Sequence, residues 1–268
     1  MHKSGWMMIA GLLLFASVPY KDVRAQATTA QTSAPQKPAT GNATAHRPAS
    51  PYDRALLRPV LLTAKAPATY QVKFTTTKGD FVITVTRSWA PLGADRFYNL
   101  VRHHFYDNTT FFRVLKGFVV QWGISAYPPV SAAWSHAPIK DDPVVQSNLR
   151  GYVTYAKSPD PDTRTAQVFI NLIDNVRLDT VGGFAPFGQV TEGMDVVDSL
   201  YAGYGEGPPT GQGPIQETIE KLGKPYLDKD FDKLDSIKTT TLILPPSAAP
   251  AKSAPAAKPT PVAAVQKP

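Results

Sequence analysis

The chain contains no cysteine among its 268 residues. Disulfide bonds and metal sites built on thiolates are therefore excluded. The sequence also has no G-x-S-x-G nucleophile elbow, no H-E-x-x-H zinc pattern, no Walker loop, no Rossmann glycine string and no internal repeat. These absences argue against the hydrolase, nucleotide-dependent and repeat-protein classes that carry those patterns.

The few candidate metal ligands are badly spaced. His103 and His104 are adjacent, so they do not share a helix face, and His136 lies with the pair Asp141-Asp142 in a loop-like stretch. A satisfied polar turn is the simpler interpretation of that stretch. The sequence predicts neither a metal site nor a cofactor.

Positive charge is also scarce where a folded domain is expected. The formal net charge is +7, but residues 68–244 contain 17 Lys and Arg against 19 Asp and Glu, a net of −2. The excess of positive charge belongs to the two ends of the chain. Without a basic stripe on the domain, we do not expect binding to nucleic acid.

The two ends differ in composition from the middle of the chain. Residues 1–27 have a basic start, an apolar run from Trp6 to Val18 that is too short to span a bilayer, and small residues before a cleavage point, which is the layout of a secretory signal peptide. An uncleaved anchor is the alternative interpretation. Residues 28–67 and 245–268 are rich in Ala, Thr, Pro and Lys without apolar periodicity, so we expect disordered segments there. One domain, residues 68–244, remains, and it is large enough for its own core.

Periodicity within the domain predicts many short strands and few helices. Residues 70–86 alternate around Lys78-Gly79-Asp80 and predict a β-hairpin, and residues 90–107 predict an amphipathic helix that starts near Pro91. The prolines and small residues of 124–148 predict a long loop. Thr191 is the expected N-cap of a helix stopped by Gly203; a short helix near 215–222 and a strand within 231–244 follow. This order favours a closed β-barrel with helices at its ends.

The stretch 111–123, FFRVLKGFVVQWG, places Arg113 in an otherwise apolar segment. An unpaired guanidinium is costly to bury, so the side chain must be exposed or have a function. A two-residue turn would place Arg113 opposite Val120, whereas a three-residue loop of Lys116-Gly117-Phe118 would place it opposite Gln121. We prefer the second register because it keeps the polar pair on one face.

This stretch resembles a motif of the cyclophilin-type peptidyl-prolyl isomerases, F-x-R-x-x-x-G-F-x-x-Q-x-G. Further matches follow in the family's order: GYVTYA at 151–156, AQVFIN at 166–171, FAPFGQV at 184–190 and EGMDVVDSL at 192–200. The resemblance covers essentially the whole domain. It implies a mainly β fold, a closed eight-stranded antiparallel cyclophilin-like β-barrel capped by two helices.

The resemblance also implies roles for particular residues. Arg113 would be the catalytic arginine, and substrate contacts would come from Phe118, Val119, Gln121, Ala156, Lys157, Gln167, Phe169, Arg177, Leu178 and Phe184. Of these, the proline pocket would be Phe118, Val119 and Phe169, the two glutamines would hold the substrate, and the backbone at Ala156 and Lys157 would bind the residues before proline. Rotation about an Xaa-Pro bond has a barrier of roughly 18–20 kcal/mol, and the proline nitrogen regains a lone pair in the twisted transition state. A fixed arginine donor would bind that state preferentially, without a cofactor.

Several positions depart from the family pattern. Phe184 stands where the pocket usually has a histidine, Arg177 aligns with a position often held by a tryptophan that contacts cyclosporin, and Lys157 replaces an asparagine. Trp122 replaces a glycine after Gln121, and one extra residue lies between Ala156 and Gln167. We therefore expect an altered substrate preference and weak cyclosporin binding.

The sequence thus predicts a peptidyl-prolyl cis-trans isomerase that acts, as a monomer, on proline-containing segments of unfolded or exported proteins. A cyclophilin-fold binding module or chaperone without catalysis is the alternative. The protein would be periplasmic or secreted, with no stable membrane insertion once the signal is removed, or held by an uncleaved signal anchor.

Overall fold

The computed structural model describes residues 50–244; the predicted signal peptide, most of the first linker and the C-terminal tail lie outside them. Within these residues, eight strands form one sheet in the order β3-β4-β6-β5-β7-β2-β1-β8, and every strand pair is antiparallel. The strands are β1 (Thr69–Thr76), β2 (Asp80–Thr86), β3 (Arg113–Val114), β4 (Val119–Trp122), β5 (Tyr152–Tyr155), β6 (Val168–Asn171), β7 (Pro186–Glu192) and β8 (Ile237–Ile243).

Five α-helices accompany the sheet: α1 (Pro91–Arg102), α2 (Pro128–Ser135), α3 (Met194–Asp198), α4 (Gln216–Leu222) and α5 (Lys224–Asp230). A 3₁₀ turn, Val176–Asp179, lies between β6 and β7. The predicted hairpin is confirmed as β1 and β2. Alternate residues of β1 are buried, and the turn is closed by Thr76 N–H donating to Gly79 O at 2.9 Å. The predicted first helix is confirmed as α1, and its apolar face is buried against the sheet.

The predicted closed barrel is wrong, because the sheet is open between β3 and β8. Among the described residues, an isolated bridge between Thr110 and Ser236 joins the two edges just before these strands begin. Strand β3 has only two residues, and the free edge of β8 is capped where Thr240 N–H donates to the Asp107 carboxylate at 2.8 Å. The sheet curls far enough for its two edges to meet at one point. The edge strands β3 and β8 leave too few free N–H and C=O groups to pair along their length.

Three local predictions also need correction. The predicted loop 124–148 contains α2, with Pro128 at its first position, where proline is favourable because its missing N–H has no helical partner. Thr191 lies in β7, and Gly193 precedes α3, which ends at Asp198, well before Gly203. The second of the two expected capping helices is therefore a short one, and α5 was not predicted.

Residues 50–67, which precede the predicted domain, pack against it. Leu56 is 1% exposed, and its carbonyl oxygen accepts a hydrogen bond from the Trp134 indole at 2.8 Å. Residues 50–67, predicted as the end of the linker, thus contact α2, and Ala66 N–H donates to Asp95 Oδ1 of α1 at 2.9 Å. Leu56 buries an apolar side chain there, which the composition of the segment did not reveal.

Trp122 is a core residue. Its side chain is fully buried, with its ring centroid 5.7 Å from that of Phe74 and 5.6 Å from that of Phe111, both in edge-on geometry. Such contacts between aromatic rings favour a specific packing in addition to the burial of apolar area. The residue that the family pattern left unexplained therefore fills the interior behind β4.

Candidate active site

The β3–β4 hairpin has the register that the polar pair predicted. Arg113 lies opposite Gln121, Leu115 N–H donates to Val119 O at 2.9 Å, and residues 116–118 form the loop. Gly117 has a φ of +76°, a left-handed conformation that favours glycine. The three-residue loop is therefore confirmed, and it places Arg113, Val119 and Gln121 on one face.

Strand β6 adds to the same face. Phe169 pairs with Gln121, and Asn171 pairs with Val119. Directly opposed residues of antiparallel strands point to the same side of a sheet. Phe169 and Val119 are buried, so this face combines an apolar floor with the polar side chains of β3 and β4.

A chain of hydrogen bonds fixes the polar side chains. Arg113 Nη1 donates to Gln121 Oε1 at 3.0 Å, and Gln121 Nε2 donates to Gln167 Oε1 at 2.8 Å. Gln121 is 7% exposed, so its amide has little competition from water. The arginine and the two predicted glutamines thus form one continuous network.

A residue that sequence analysis did not single out completes the network. Glu206 lies in the glycine-rich segment 203–213, and its carboxylate accepts from Arg113 Nε at 2.9 Å and from Nη2 at 2.6 Å. The side chains of Arg113 and Glu206 are 18% and 34% exposed. The one available signal was a single acid among glycines, GYGEG, with nothing to indicate a partner 93 residues away.

The charge state of Glu206 follows from its surroundings. Partial burial disfavours the charged form, but the hydrogen bonds and positive charge of Arg113, together with the Gly207 amide, outweigh it and hold the pKa of Glu206 below its ordinary value. Near neutral pH the pair is therefore an ion pair.

Aromatic side chains surround the guanidinium and the floor. The Arg113 Cζ lies 5.7 Å from the centroid of the Phe118 ring, within the range of a cation–π contact. The Phe169 and Phe184 rings are 5.9 Å apart in an edge-on arrangement. The structure thus links Phe118 to the arginine and Phe184 to the floor at Phe169.

Ala156 and Lys157 follow β5. Ala156 N–H already donates to Gln167 O at 3.0 Å, so the backbone there can offer a ligand its carbonyl groups but not this donor. The Lys157 side chain is 4% exposed and its Nζ lies 2.5 Å from Asp141 Oδ2. The lysine that replaces the family's asparagine is therefore engaged in a partly buried ion pair.

Arg177 and Leu178 lie on the 3₁₀ turn Val176–Asp179, where Arg177 is exposed and Leu178 is half-buried. The turn is held by Asp179, which accepts from Asn148 N–H at 2.9 Å, and Leu178 O accepts from Phe184 N–H at 3.2 Å. These contacts connect the turn to Phe184. Within residues 50–244, Arg177 forms no hydrogen bond or ion pair with the polar network.

No group of three or more His, Cys, Asp or Glu side chains within residues 50–244 is arranged to hold a metal ion. The network of Arg113, Glu206, Gln121 and Gln167 has no nucleophile held against a base. Its chemistry is that of fixed hydrogen-bond donors beside an apolar surface.

Comparison with known proteins gives a consistent result. Residues 71–220 match the family model described as cyclophilin type peptidyl-prolyl cis-trans isomerase. A peptidyl-prolyl cis-trans isomerase of Acinetobacter baylyi is 36% identical over 145 residues, which are 53% of this chain and 77% of the relative. Peptidyl-prolyl cis-trans isomerase B of Escherichia coli is 34% identical over 157 residues, 56% of this chain and 92% of the relative. A solved cyclophilin-type isomerase of Cryptosporidium parvum matches with 19% identity and a TM-score of 0.49, over 66% of this chain and 99% of that one.

Proposed function

Because the chain belongs to the cyclophilin-type peptidyl-prolyl cis-trans isomerase family and is an isomerase of Xaa-Pro bonds, we propose that Arg113 is its catalytic residue and that its substrates are proline-containing segments of exported proteins. The ring of the substrate proline would lie on the apolar floor of Val119 and Phe169, flanked by Phe118. Gln121 and Gln167 would hold the neighbouring backbone.

The donor count of Arg113 supports this assignment. A guanidinium has five N–H groups. Glu206 engages Nε–H and one N–H of Nη2, and Gln121 engages one N–H of Nη1, so one N–H on each Nη can be offered to a substrate. These two N–H groups belong to a guanidinium whose orientation Glu206 and Gln121 already fix.

The reaction then follows from differential binding. In the planar ground state the proline nitrogen shares its lone pair with the carbonyl group and is a poor acceptor. In the twisted transition state the lone pair is localised, and an N–H of Arg113 donates to it strongly. No covalent bond changes, which agrees with a network that contains no activated nucleophile.

The observation that carries the proposal is the pairing of Arg113 with Gln121 across the hairpin, on the face that also holds Val119 and Phe169.

The test is isomerisation of a short Xaa-Pro peptide by the full chain. We expect Arg113→Ala to lower kcat/KM by about 100-fold or more, the loss typical of one preorganised donor. Arg58→Ala removes an exposed arginine that forms no hydrogen bond or ion pair with this network and should leave the rate unchanged.

Equal rates for wild type and Arg113→Ala would refute the role of the arginine. A wild-type protein that binds the peptide without accelerating its isomerisation would favour the binding module. The roles of Arg177, Leu178 and Phe184 toward substrate, like the weak cyclosporin binding, stay predictions.

Export is proposed from residues 1–27 and their signal-like layout. Within residues 50–244, no helix is long and apolar enough to cross a membrane. The N-terminal sequence of the mature protein, determined after cell fractionation, tests this proposal. A cytosolic protein that retains Met1 would contradict it.

A further inference from the structure

The glycine-rich segment 203–213, between α3 and α4, brings a carboxylate to Arg113. We propose that Glu206 is a positioning residue, which fixes the guanidinium so that its two remaining N–H groups face the substrate. This inference rests on the proposed function, since it concerns the same arginine.

The segment is built to present this side chain. Gly213 N–H donates to Glu206 O at 2.7 Å, and Gly207 N–H donates to Glu206 Oε1 at 3.1 Å. A Cβ on Gly213 would lie 2.9 Å from Glu206 O, and a Cβ on Gly211 would overlap that oxygen. The glycines therefore allow the chain to fold back closely on the residue whose side chain contacts β3.

Without Glu206 the guanidinium would be held less firmly. An arginine side chain has many rotamers, so ordering it costs conformational entropy that its contacts must offset. Among residues 50–244, the Arg113 head group would then keep one hydrogen bond, to the neutral amide of Gln121, and its contact with the face of Phe118. A bidentate carboxylate adds charge-assisted bonds in a fixed plane. Among residues 50–244, Glu206 is the acid that forms an ion pair with Arg113.

Two other roles predict different results. If the pair only held the loop in place, its loss would lower stability without a selective effect on turnover. If Glu206 competed with substrate for the arginine, its removal would raise the rate. A positioning role predicts a fall in kcat with little change in KM, because the transition state depends on the orientation of Arg113 more than the ground state does.

The experiment measures kcat and KM separately for the full chain carrying Glu206→Ala, Glu206→Gln or Glu206→Asp. We expect kcat to fall at least 10-fold in Glu206→Ala with KM within twofold of wild type. Glu206→Gln keeps the size and one acceptor, and Glu206→Asp keeps the charge with a shorter reach, so both should lose less. The matched control is Glu192→Gln, which removes an exposed acid at the end of β7 and should change neither constant.

A double-mutant cycle tests whether Glu206 acts through the arginine. In an Arg113→Ala background, Glu206→Ala should have no further effect on kcat. A second, activity-independent measurement is the NMR signal of Arg113 Nε–H, which should exchange slowly with water in wild type and rapidly in Glu206→Ala. Circular dichroism confirms folding, and if the alanine variant does not fold, the isosteric Glu206→Gln variant is used.

The possible outcomes separate the positioning role of Glu206 from the catalytic role proposed for Arg113. An unchanged or raised kcat in Glu206→Ala, alongside a large loss in Arg113→Ala, would overturn the positioning role and leave the proposed function intact. Equal effects of Glu206→Ala in the presence and absence of Arg113 would overturn it too. No loss in Arg113→Ala would instead be a failure of the proposed function.

Discussion

Trp122 and Gln121 are adjacent in β4 and face opposite sides of the sheet. Gln121 takes part in the polar network, whereas Trp122 packs among Phe74, Phe111 and Tyr106 in the interior. The alternation of a strand allows one position to serve the site while its neighbour serves the core. A change at Trp122 should therefore affect stability far more than chemistry.

We predict that Trp122→Ala lowers the free energy of unfolding by about 3–5 kcal/mol, the range for removing a fully buried Trp or Phe side chain. Urea unfolding of the full chain measures this difference. Trp122→Phe should cost less and keep kcat near the wild-type value, because the side chain faces away from Arg113. The control is Val60→Ala, at a position that is 81% exposed, where a change within 0.5 kcal/mol is expected. A large loss of kcat in a fully folded Trp122→Phe variant would contradict this separation.

The residues of the site differ in how far the sequence predicted their geometry. The pairing of Arg113 with Gln121 followed from the sequence because register is a local property, set by loop length and by the cost of burying a lone charge. The Glu206 contact did not follow, since no periodicity relates a loop acid to a strand 93 residues away. Lys157 could be located after β5, but its partly buried ion pair with Asp141 depends on tertiary packing.

At the scale of elements, errors arose where a local signal was given too much weight. Pro128 and Pro129 favour a loop in the sequence, although proline at the start of α2 is favourable too. The short strands were predicted in the right order, but closure of a barrel depends on how many backbone groups the two edge strands leave free. Strand length at β3 and the Asp107 cap on β8 decide that, and neither is a periodic feature of the sequence.

The glycine-rich segment 203–213 permits a prediction at this scale. In Gly211→Ala the new Cβ would overlap the carbonyl oxygen of Glu206, so the segment must shift and the Glu206–Arg113 contact should weaken. We expect kcat to fall several-fold, in the same direction as in Glu206→Ala, with little change in urea midpoint. The peptide assay and the Arg113 Nε–H signal report the two effects.

The control for this prediction is Gln212→Ala, which changes an exposed side chain in the same segment and should leave both readouts unchanged. Wild-type kcat in Gly211→Ala would show that the segment tolerates the displacement. In that case the close approach of the backbone would not be needed to position Glu206.

At the scale of the whole molecule, carboxylates join segments that are distant in the sequence. Asp95 on α1 accepts from Arg87 Nε at 2.7 Å, from Arg87 Nη2 at 2.8 Å and from Ala66 N–H at 2.9 Å. Asp179 ties the 3₁₀ turn to Asn148, and Glu206 ties the glycine-rich segment to β3. For each of these three acids, burial would raise the pKa, but hydrogen bonds, with the charge of the arginine at Asp95 and Glu206, lower it below the ordinary value.

These shifts predict loss of stability in acid. A carboxyl whose pKa is lower in the folded than in the unfolded chain stabilises the fold at pH values above its unfolded pKa. That stabilisation is lost as the pH falls through the folded pKa. For Asp95 the ordinary value is 3.8, so its contribution to the free energy of unfolding should stay nearly constant from pH 7 to pH 5 and fall below about pH 4.

The contribution of Asp95 can be isolated with Asp95→Asn in the full chain, by urea unfolding at pH 7, 5, 4 and 3. At pH 7 the variant should be less stable by about 1 kcal/mol, a modest value because the ion pair is partly exposed. The difference from wild type should shrink as the pH falls, since protonation removes from wild type the same charge that the substitution removes. Asp160→Asn, at an exposed acid outside these contacts, should follow the wild-type curve throughout. A difference at Asp95 that stayed constant from pH 7 to pH 3 would mean that the substitution acts through packing or a weakened Ala66 contact, because acid removes only the charge of the carboxylate.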